Sequence, residues 1–540
     1  MTTTVIVGGV AGGMSTATRL RRNDEKMTII VVESSNYVSF ANCGLPYFIG
    51  GEITERSDLL LQTPQSLKDR FNLDVRTGST ATAINRQAKT VTVNGPEGNY
   101  DIAYDYLVLS PGAQPTMPPI PGIEHALTLR TVEDTDHIID HIQATQARSA
   151  VIIGGGFIGL ELAENLTKRQ LHTTVIERES QIMTPLDDEM AAIVATHLEK
   201  NGVTLLTNST VEAIGENYVM AGDTRIEADV VIAALGVQPA SKLARDAGLA
   251  INERGGIRVD HQQRTSDHTI FALGDAAEKT DAINGDNIMV PLAQTANRHG
   301  RLVADIIAGR NVSAMPVLAT AIIGVFGLAA ATTGWNERRA RAAGKNIRVI
   351  HTHPVHHAGY YPGATPLHLK LIIDADNDAI LGAQAVGTNG VDKRIDVIAT
   401  AIRAGLGASD LADLELAYAP QFGSAKDPIN MLGFIADNAK QGEKTIQWHE
   451  LDQALANGWT LVDVRSPAEF SRGSIPGAIN IPVDDIRDRI AELADKKVLV
   501  HCQVGLRGHI AYTLLDNYGI TTANLDGGYV TWTHGQDARR

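Results

Sequence analysis

The chain has 540 residues, 44% of them hydrophobic and 20% charged, with a formal net charge of −15 and two cysteines. Its length calls for three or four domains with their own cores, its composition excludes a disordered or fibrous protein, and its acidic balance argues against a general nucleic-acid binder. Two cysteines exclude a disulfide framework and fit a reducing cytoplasm, so Cys43 and Cys502 each call for their own chemistry.

The N-terminus, MTTTVIVGGVAGG, has no basic n-region, so no signal peptide is expected. Thr3 to Val7 reads as an apolar strand leading through Gly8, Gly9, Val10, Ala11, Gly12 and Gly13 into a helix that starts near Ser15. Small residues before a helix N-terminus let backbone approach a pyrophosphate and offer it free N–H groups. The next strand, Met27 to Val32, ends in Glu33, where a carboxylate would accept a ribose hydroxyl; Val10 stands where the usual fingerprint has its middle glycine.

A second and complete fingerprint follows. The strand from Ser149 to Ile153 precedes Gly154, Gly156 and Gly159, and the strand from Thr173 to Ile176 ends in Glu177. Glu177 favours NADH over NADPH, although neighbouring Arg178 leaves NADPH open. Two dinucleotide units in one chain imply hydride transfer between two cofactors. No charge occurs between Arg310 and Glu337, yet Pro316 and the glycines there favour a buried strand and turn over a membrane span.

Thr269 to Asp275, a strand followed by Gly274 and Asp275, resembles the second flavin motif of the two-dinucleotide flavoproteins, with Asp275 on the ribityl chain of FAD. Tyr106 to Gly112, which contains Ser110, and Val230 to Gly236 resemble the strands that close each nucleotide domain. The segment Ser39-Phe40-Ala41-Asn42-Cys43-Gly44-Leu45-Pro46-Tyr47 resembles the single-cysteine branch of the pyridine nucleotide-disulfide oxidoreductases that includes the coenzyme A disulfide reductases. With one cysteine, the partner sulfur comes from a substrate or from an oxidised form of Cys43, and a helix N-terminus is expected to lower the Cys43 pKa. NADH peroxidases and oxidases also carry one cysteine, but they place a histidine in the first glycine turn, which here holds Val10 and Ala11.

That resemblance implies FAD contacts from Gly8, Gly9, Ala11, Gly12, Gly13, Glu33, Ser110, Arg130 and Asp275. It implies coenzyme A contacts from Ser15, Arg19, Arg22, Ser39, Asn42, Asn297 and Lys426; a lysine expected after Arg70 is Phe71. Arg19 and Arg22, three residues apart, share a helical face suited to a phosphate clamp. The four histidines within residues 351–363 have no cysteine or carboxylate among them, so no metal is expected. The segment instead matches a dimerisation domain in which Tyr361 and Tyr418 would serve the partner's cysteine in a homodimer.

After residues 437–446, read as a polar linker, a fresh α/β pattern begins. The strand Leu461 to Arg465, the run Gly473 to Pro482 and the strand Lys497 to His501 delivering Cys502-Gln503-Val504-Gly505-Leu506-Arg507 resemble the rhodanese family, with Ser474 where many members have histidine. A loop between strand and helix surrounds a sulfur with N–H donors, suiting a Cys502 persulfide. Arg507 would shape the loop or hold an anion.

The fold class expected is therefore α/β: a two-dinucleotide-binding flavoprotein fold with an α+β dimerisation domain and a C-terminal α/β rhodanese domain. The boundaries expected are 1–118 and 251–322 for the two parts of the FAD domain, 119–250 for the NAD(P) domain, 323–436 for dimerisation and 447–540 for rhodanese. The expected activity is NAD(P)H-dependent reduction of coenzyme A persulfide or polysulfide through Cys43, with Cys502 carrying sulfane sulfur. Coenzyme A disulfide reduction, peroxide reduction and a sulfur or redox sensor are the alternatives.

Overall fold

The computed structural model describes residues 2–540. These form two compact units: one gathers residues up to Ser180 with Gly202–Ala319, the other Gln181–Asn201 with Thr320–Arg540.

In the first unit a five-stranded parallel sheet runs in the order Ile270–Ala272, Tyr106–Leu109, Thr3–Val7, Thr28–Val32, Asp74–Arg76. Its central strands are largely apolar because both faces are covered, while the edge strand Asp74–Arg76 carries charge. Val5, Val7, Ile30, Leu107 and Ile270 pack on one side, and Ile6, Ile29, Val31, Val108 and Phe271 on the other. A four-stranded parallel sheet, Thr204–Leu206, His172–Ile176, Ser149–Ile153, Val230–Ala233, repeats the plan. Each has a small antiparallel three-stranded sheet inserted in sequence before its last strands. Ala113–Pro115 and Val237–Pro239 pair antiparallel, so the segments leaving the two sheets run side by side.

The second unit contains a five-stranded antiparallel sheet, Ala321–Val325, Leu328–Gly334, Ile380–Gly387, Leu367–Asp374, Ile347–Thr352, packed on the helices Val391–Ala404 and Pro428–Lys440. The uncharged stretch before Glu337 is thus a strand hairpin. Among the described residues, no helix is long and apolar enough to cross a membrane.

The C-terminal sheet, parallel throughout, has the order Thr445–Ile446, Thr522–Leu525, Lys497–His501, Trp459–Asp463, Ile479–Asn480. Here the structure corrects the linker expectation. Residues up to Lys440 finish a helix, Thr445 and Ile446 form an edge strand of the new sheet, and Glu443 between them binds His509 at 2.7 Å.

Candidate functional site

The two glycine turns are built alike. Gly8 and Gly154 have φ values of +101° and +112°, and a Cβ on either would collide with the carbonyl oxygen of Ser110 or Ala234, the residue just past the end of the neighbouring strand. Gly13 and Gly159 have no room either, since each faces the carbonyl of the first glycine of its own turn. Gly156 is different: open space surrounds its missing Cβ, which leaves the turn bare where a phosphate would lie. Each strand-end acid folds back on its own turn. Glu33 accepts from the Gly9 N–H at 2.6 Å and the Ser35 N–H at 2.8 Å. Glu177 accepts from the Gly155 N–H at 2.7 Å and the Glu179 N–H at 2.9 Å. In the first turn Val10 precedes the helix Ala11–Asn23 and makes no side-chain cap, so the loss of the middle glycine is absorbed without closing the helix N-terminus. The residues present therefore fit two dinucleotides.

Cys43 is exposed in a short 3-10 turn, Asn42–Gly44, that feeds the helix Leu45–Gly50. Arg130 organises its surroundings. Its guanidinium meets Asp275 at 3.2 Å, and with the Asn42 amide oriented to donate to the Arg130 carbonyl at 2.9 Å, the same guanidinium donates back to Asn42 at 3.1 Å. One arginine thus ties the turn bearing Cys43 to the acid expected on the ribityl chain. The surroundings push the Cys43 thiol up rather than down: desolvation contributes most, then Glu161 and Asp275, with Arg130 opposing them. The expected lowering by a helix N-terminus is overridden chiefly by desolvation, to which the charges of Glu161 and Asp275 add.

Glu161 was not anticipated. Burial raises its pKa to about 7, and it accepts a hydrogen bond from the Tyr47 hydroxyl at 3.3 Å. The available signal was a carboxylate inside the apolar run Phe157-Ile158-Gly159-Leu160-Glu161-Leu162.

Among the residues expected to hold coenzyme A, Ser15 and Asn297 are hydrogen-bonded to each other. Ser39 takes a positive φ of 48° and donates its N–H to Gly9. Arg22 is exposed, whereas Arg19 is engaged by Asp305 at 2.7 Å, so the two arginines are not equally free to clamp a phosphate. Lys426 is exposed on the second unit. Tyr418 and Tyr361 are exposed there too, but the hydroxyl that meets Tyr418, at 2.8 Å, belongs to Tyr360. The Tyr361 ring packs against His357 instead. Of the neighbouring histidines, His351 bonds Asp526 and Glu189, His353 bonds His368 and Thr531, and His356 bonds His357.

Cys502 is buried, 1% exposed. It follows the strand Lys497–His501, and the Gly505 N–H donates to its sulfur at 3.2 Å just before the helix Leu506–Asn517. Gly505 has a φ of +107°, the conformation that turns its N–H inward. Arg507 forks onto Glu469 with two bonds of 2.8 and 2.7 Å, and this contact holds the Glu469 carboxyl at about 2. Cys502 is also among the groups that raise the Arg507 pKa, behind the larger effect of Glu469. The buried pair of Arg465 and Asp463, 2.6 Å apart, supports the loop from beneath, with Arg465 donating to Gln503 Oε1 at 3.0 Å.

Comparison with known proteins agrees with this geometry. The family model "Pyridine nucleotide-disulphide oxidoreductase" matches residues 2–300, its dimerisation domain matches 320–427, and "Rhodanese-like domain" matches 447–534. The coenzyme A disulfide reductase of Staphylococcus aureus (strain JH9) is 36% identical over 438 residues, 80% of this chain and 99% of that protein. The crystal structure of reduced Bacillus anthracis CoADR-RHD superposes with a TM-score of 0.97 at 48% identity, covering 98% of each chain. A NAD-dependent persulfide reductase from A. fulgidus has a TM-score of 0.93 at 38% identity, covering 98% of this chain and 100% of that one. The resemblance read from the glycine turns and Cys43 is borne out: the chain belongs to the pyridine nucleotide-disulphide oxidoreductase family and carries a rhodanese-like domain at its C-terminal end.

Proposed function

We propose that this protein uses NADH and FAD to reduce the sulfane sulfur of coenzyme A persulfide to sulfide at Cys43, and that Cys502 carries sulfane sulfur taken from polysulfide or a similar donor. The observation that carries this reading is the presence, in one chain, of an exposed lone cysteine beside Arg130 and Asp275 and a second cysteine seated in an N–H cradle. The relatives from B. anthracis and A. fulgidus match across nearly the whole chain, rhodanese region included, and the latter is named a persulfide reductase.

Bound FAD supplies the two-electron link between NADH and the sulfur at Cys43. The chain's own residues do the rest. Gly156 and Glu177 would receive the pyrophosphate and ribose of the nicotinamide nucleotide, and the Glu177 carboxylate at the strand end supports NADH. The Cys43 thiolate attacks the persulfide. Attack on the coenzyme A sulfur forms a Cys43–coenzyme A disulfide and expels hydrosulfide; attack on the outer sulfur forms a Cys43 persulfide and expels the coenzyme A thiolate. Two electrons then restore the Cys43 thiolate: together with a proton they release coenzyme A thiol from the mixed disulfide, and by themselves they release hydrosulfide from the Cys43 persulfide. Arg130 favours the thiolate, and Glu161, with its pKa near 7, holds or yields a proton beside it. The exposed aromatic patch of Tyr360, Tyr361, Tyr418 and Phe422 on the dimerisation domain is assigned to a second copy of the chain.

Coenzyme A disulfide reduction is the second reading, favoured by the Staphylococcus relatives, whose matched region spans 80% of this chain. Anaerobic NADH oxidation by the FAD-loaded protein separates the two when coenzyme A persulfide, coenzyme A disulfide, polysulfide and peroxide are compared with sulfide quantified. One sulfide per NADH with the persulfide is expected. Fast turnover on the disulfide alone assigns the protein to thiol redox balance, and turnover on peroxide alone overturns both.

A further inference from the structure

One short segment, Asp526 to Thr531, touches the Cys502 loop on one side and the strand Ile347–Thr352 with the residue after it, His353, on the other. Toward the loop, the Tyr529 N–H donates to the Cys502 carbonyl at 2.8 Å and the Val530 N–H donates to the Gln503 carbonyl at 3.0 Å. Toward the strand, Asp526 accepts from the His351 backbone N–H at 3.0 Å and meets His351 Nδ1 at 2.6 Å, while Thr531 Oγ1 meets His353 Nε2 at 2.7 Å.

The two glycines between these contacts face opposite ways. A Cβ on Gly528, φ +65°, would lie 2.5 Å from the Cys502 carbonyl oxygen; one on Gly527, φ +64°, would lie 1.9 Å from Thr531 Oγ1 and 2.8 Å from His351 Cβ. Both approaches are closer than any side chain permits, so the segment is pressed between loop and strand.

The far side of the grip is firm. His351 Nε2 meets Glu189 Oε1 at 2.9 Å, and Glu189 also binds Lys370 at 2.6 Å and the Trp448 indole at 3.2 Å. Burial alone would depress the His351 pKa, but Asp526 and Glu189 outweigh it and hold it at about 9, so the imidazolium persists at neutral pH. A buried ion network of this kind fixes geometry even where its net contribution to stability is small.

We infer that His351 and His353 are positioning residues for the Cys502 loop: they clamp Asp526 and Thr531, and the amides next to Thr531 hold the carbonyls of Cys502 and Gln503. The inference rests on the reading of Cys502 as a sulfur carrier for its catalytic consequence. It gives the histidine-rich segment of the dimerisation domain a task that its sequence did not suggest.

The test is Thr531→Val in the full-length FAD-loaded protein, which removes one hydroxyl at constant volume. Two quantities are read. The first is hydrogen exchange at the Tyr529 and Val530 amides. The second is sulfur transfer from thiosulfate to cyanide, in which the Cys502 thiolate takes the outer sulfur and releases sulfite, and cyanide then removes that sulfur as thiocyanate. Exchange at the two amides is expected to quicken about 10-fold with the rest of the sheet unchanged. The kcat of transfer is expected to fall about 5-fold with KM held, the scale of one hydrogen bond. Thr531→Ser should restore both, His353→Phe should reproduce the Val effect, and NADH-dependent reduction of coenzyme A disulfide should not change. Unchanged amide exchange in both Thr531→Val and His353→Phe, or faster exchange spread evenly over the domain, overturns the inference. If Cys502→Ser still transfers sulfur at the parental rate, the sulfur-carrier reading fails instead, and the exchange experiment still decides whether the clamp exists.

Discussion

Cys43 and Cys502 sit in opposite surroundings. Cys502 is buried in a preformed cradle, with the Gly505 N–H on the sulfur, a helix starting at Leu506, and Arg507 and Arg465 bracing the loop. Cys43 is exposed, and the protein facing it is mixed: Arg130 favours the thiolate while Glu161 and Asp275 oppose it. Under the proposed function Cys502 must hold a persulfide between encounters, which calls for a cradle that belongs to the chain. A redox cysteine exchanges electrons with bound cofactor and substrate, so part of its electrostatic environment arrives with them.

The sharpest break of this contrast is a pair of substitutions. Cys43→Ser is expected to lower NADH-dependent sulfide release by about 1,000-fold or more while sulfur transfer from thiosulfate to cyanide continues; Cys502→Ser is expected to do the reverse, both read by product assays on one preparation. Next in size, Arg507→Ala removes the fork onto Glu469 and should lower the kcat/KM of sulfur transfer about 10-fold, the scale of one charge-assisted hydrogen bond. The same pair fixes a pH window. Because the folded Glu469 carboxyl is depressed to about 2, its stabilising contact is complete above the ordinary carboxylate range and lost only as pH falls through about 2. Loop integrity followed by amide exchange should therefore persist at pH 4, and a loss there would contradict the fork.

The smallest effect expected is at Glu161. Its pKa near 7 means it is neutral below that pH and charged above it, and the charge raises the Cys43 pKa. Glu161→Gln should therefore move the alkylation profile of Cys43 to lower pH and speed iodoacetamide labelling at pH 8 about 2-fold, the effect of one partly solvated charge. Slower labelling would show that Glu161 acts on Cys43 other than by its charge.

Legibility from sequence followed the range of the interaction. The glycine turns, the acids at the strand ends and the two cysteine loops were readable because each is a local demand of the backbone: Gly8 and Gly154 need positive φ, and Cys502 needs a strand before it and a helix after it. The linker was misread because the polarity of residues 437–446 says nothing about Thr445 and Ile446 pairing with Asn524 and Leu525 far along the chain. The pairing of Tyr360 with Tyr418 was not legible, because which of two adjacent tyrosines faces a residue far along the chain depends on the turn that aims them.

What the sequence alone determined, then, is the order of modules, the two nucleotide turns and the local setting of both cysteines, since these are set by neighbours within a few positions. Only the tertiary structure decided what surrounds each sulfur. Arg130 reaches Asp275 across 145 residues and His351 reaches Asp526 across 175. At such separations a charge or a hydrogen-bond donor leaves no periodic trace in the sequence, and its partner is chosen by how the sheets and helices pack.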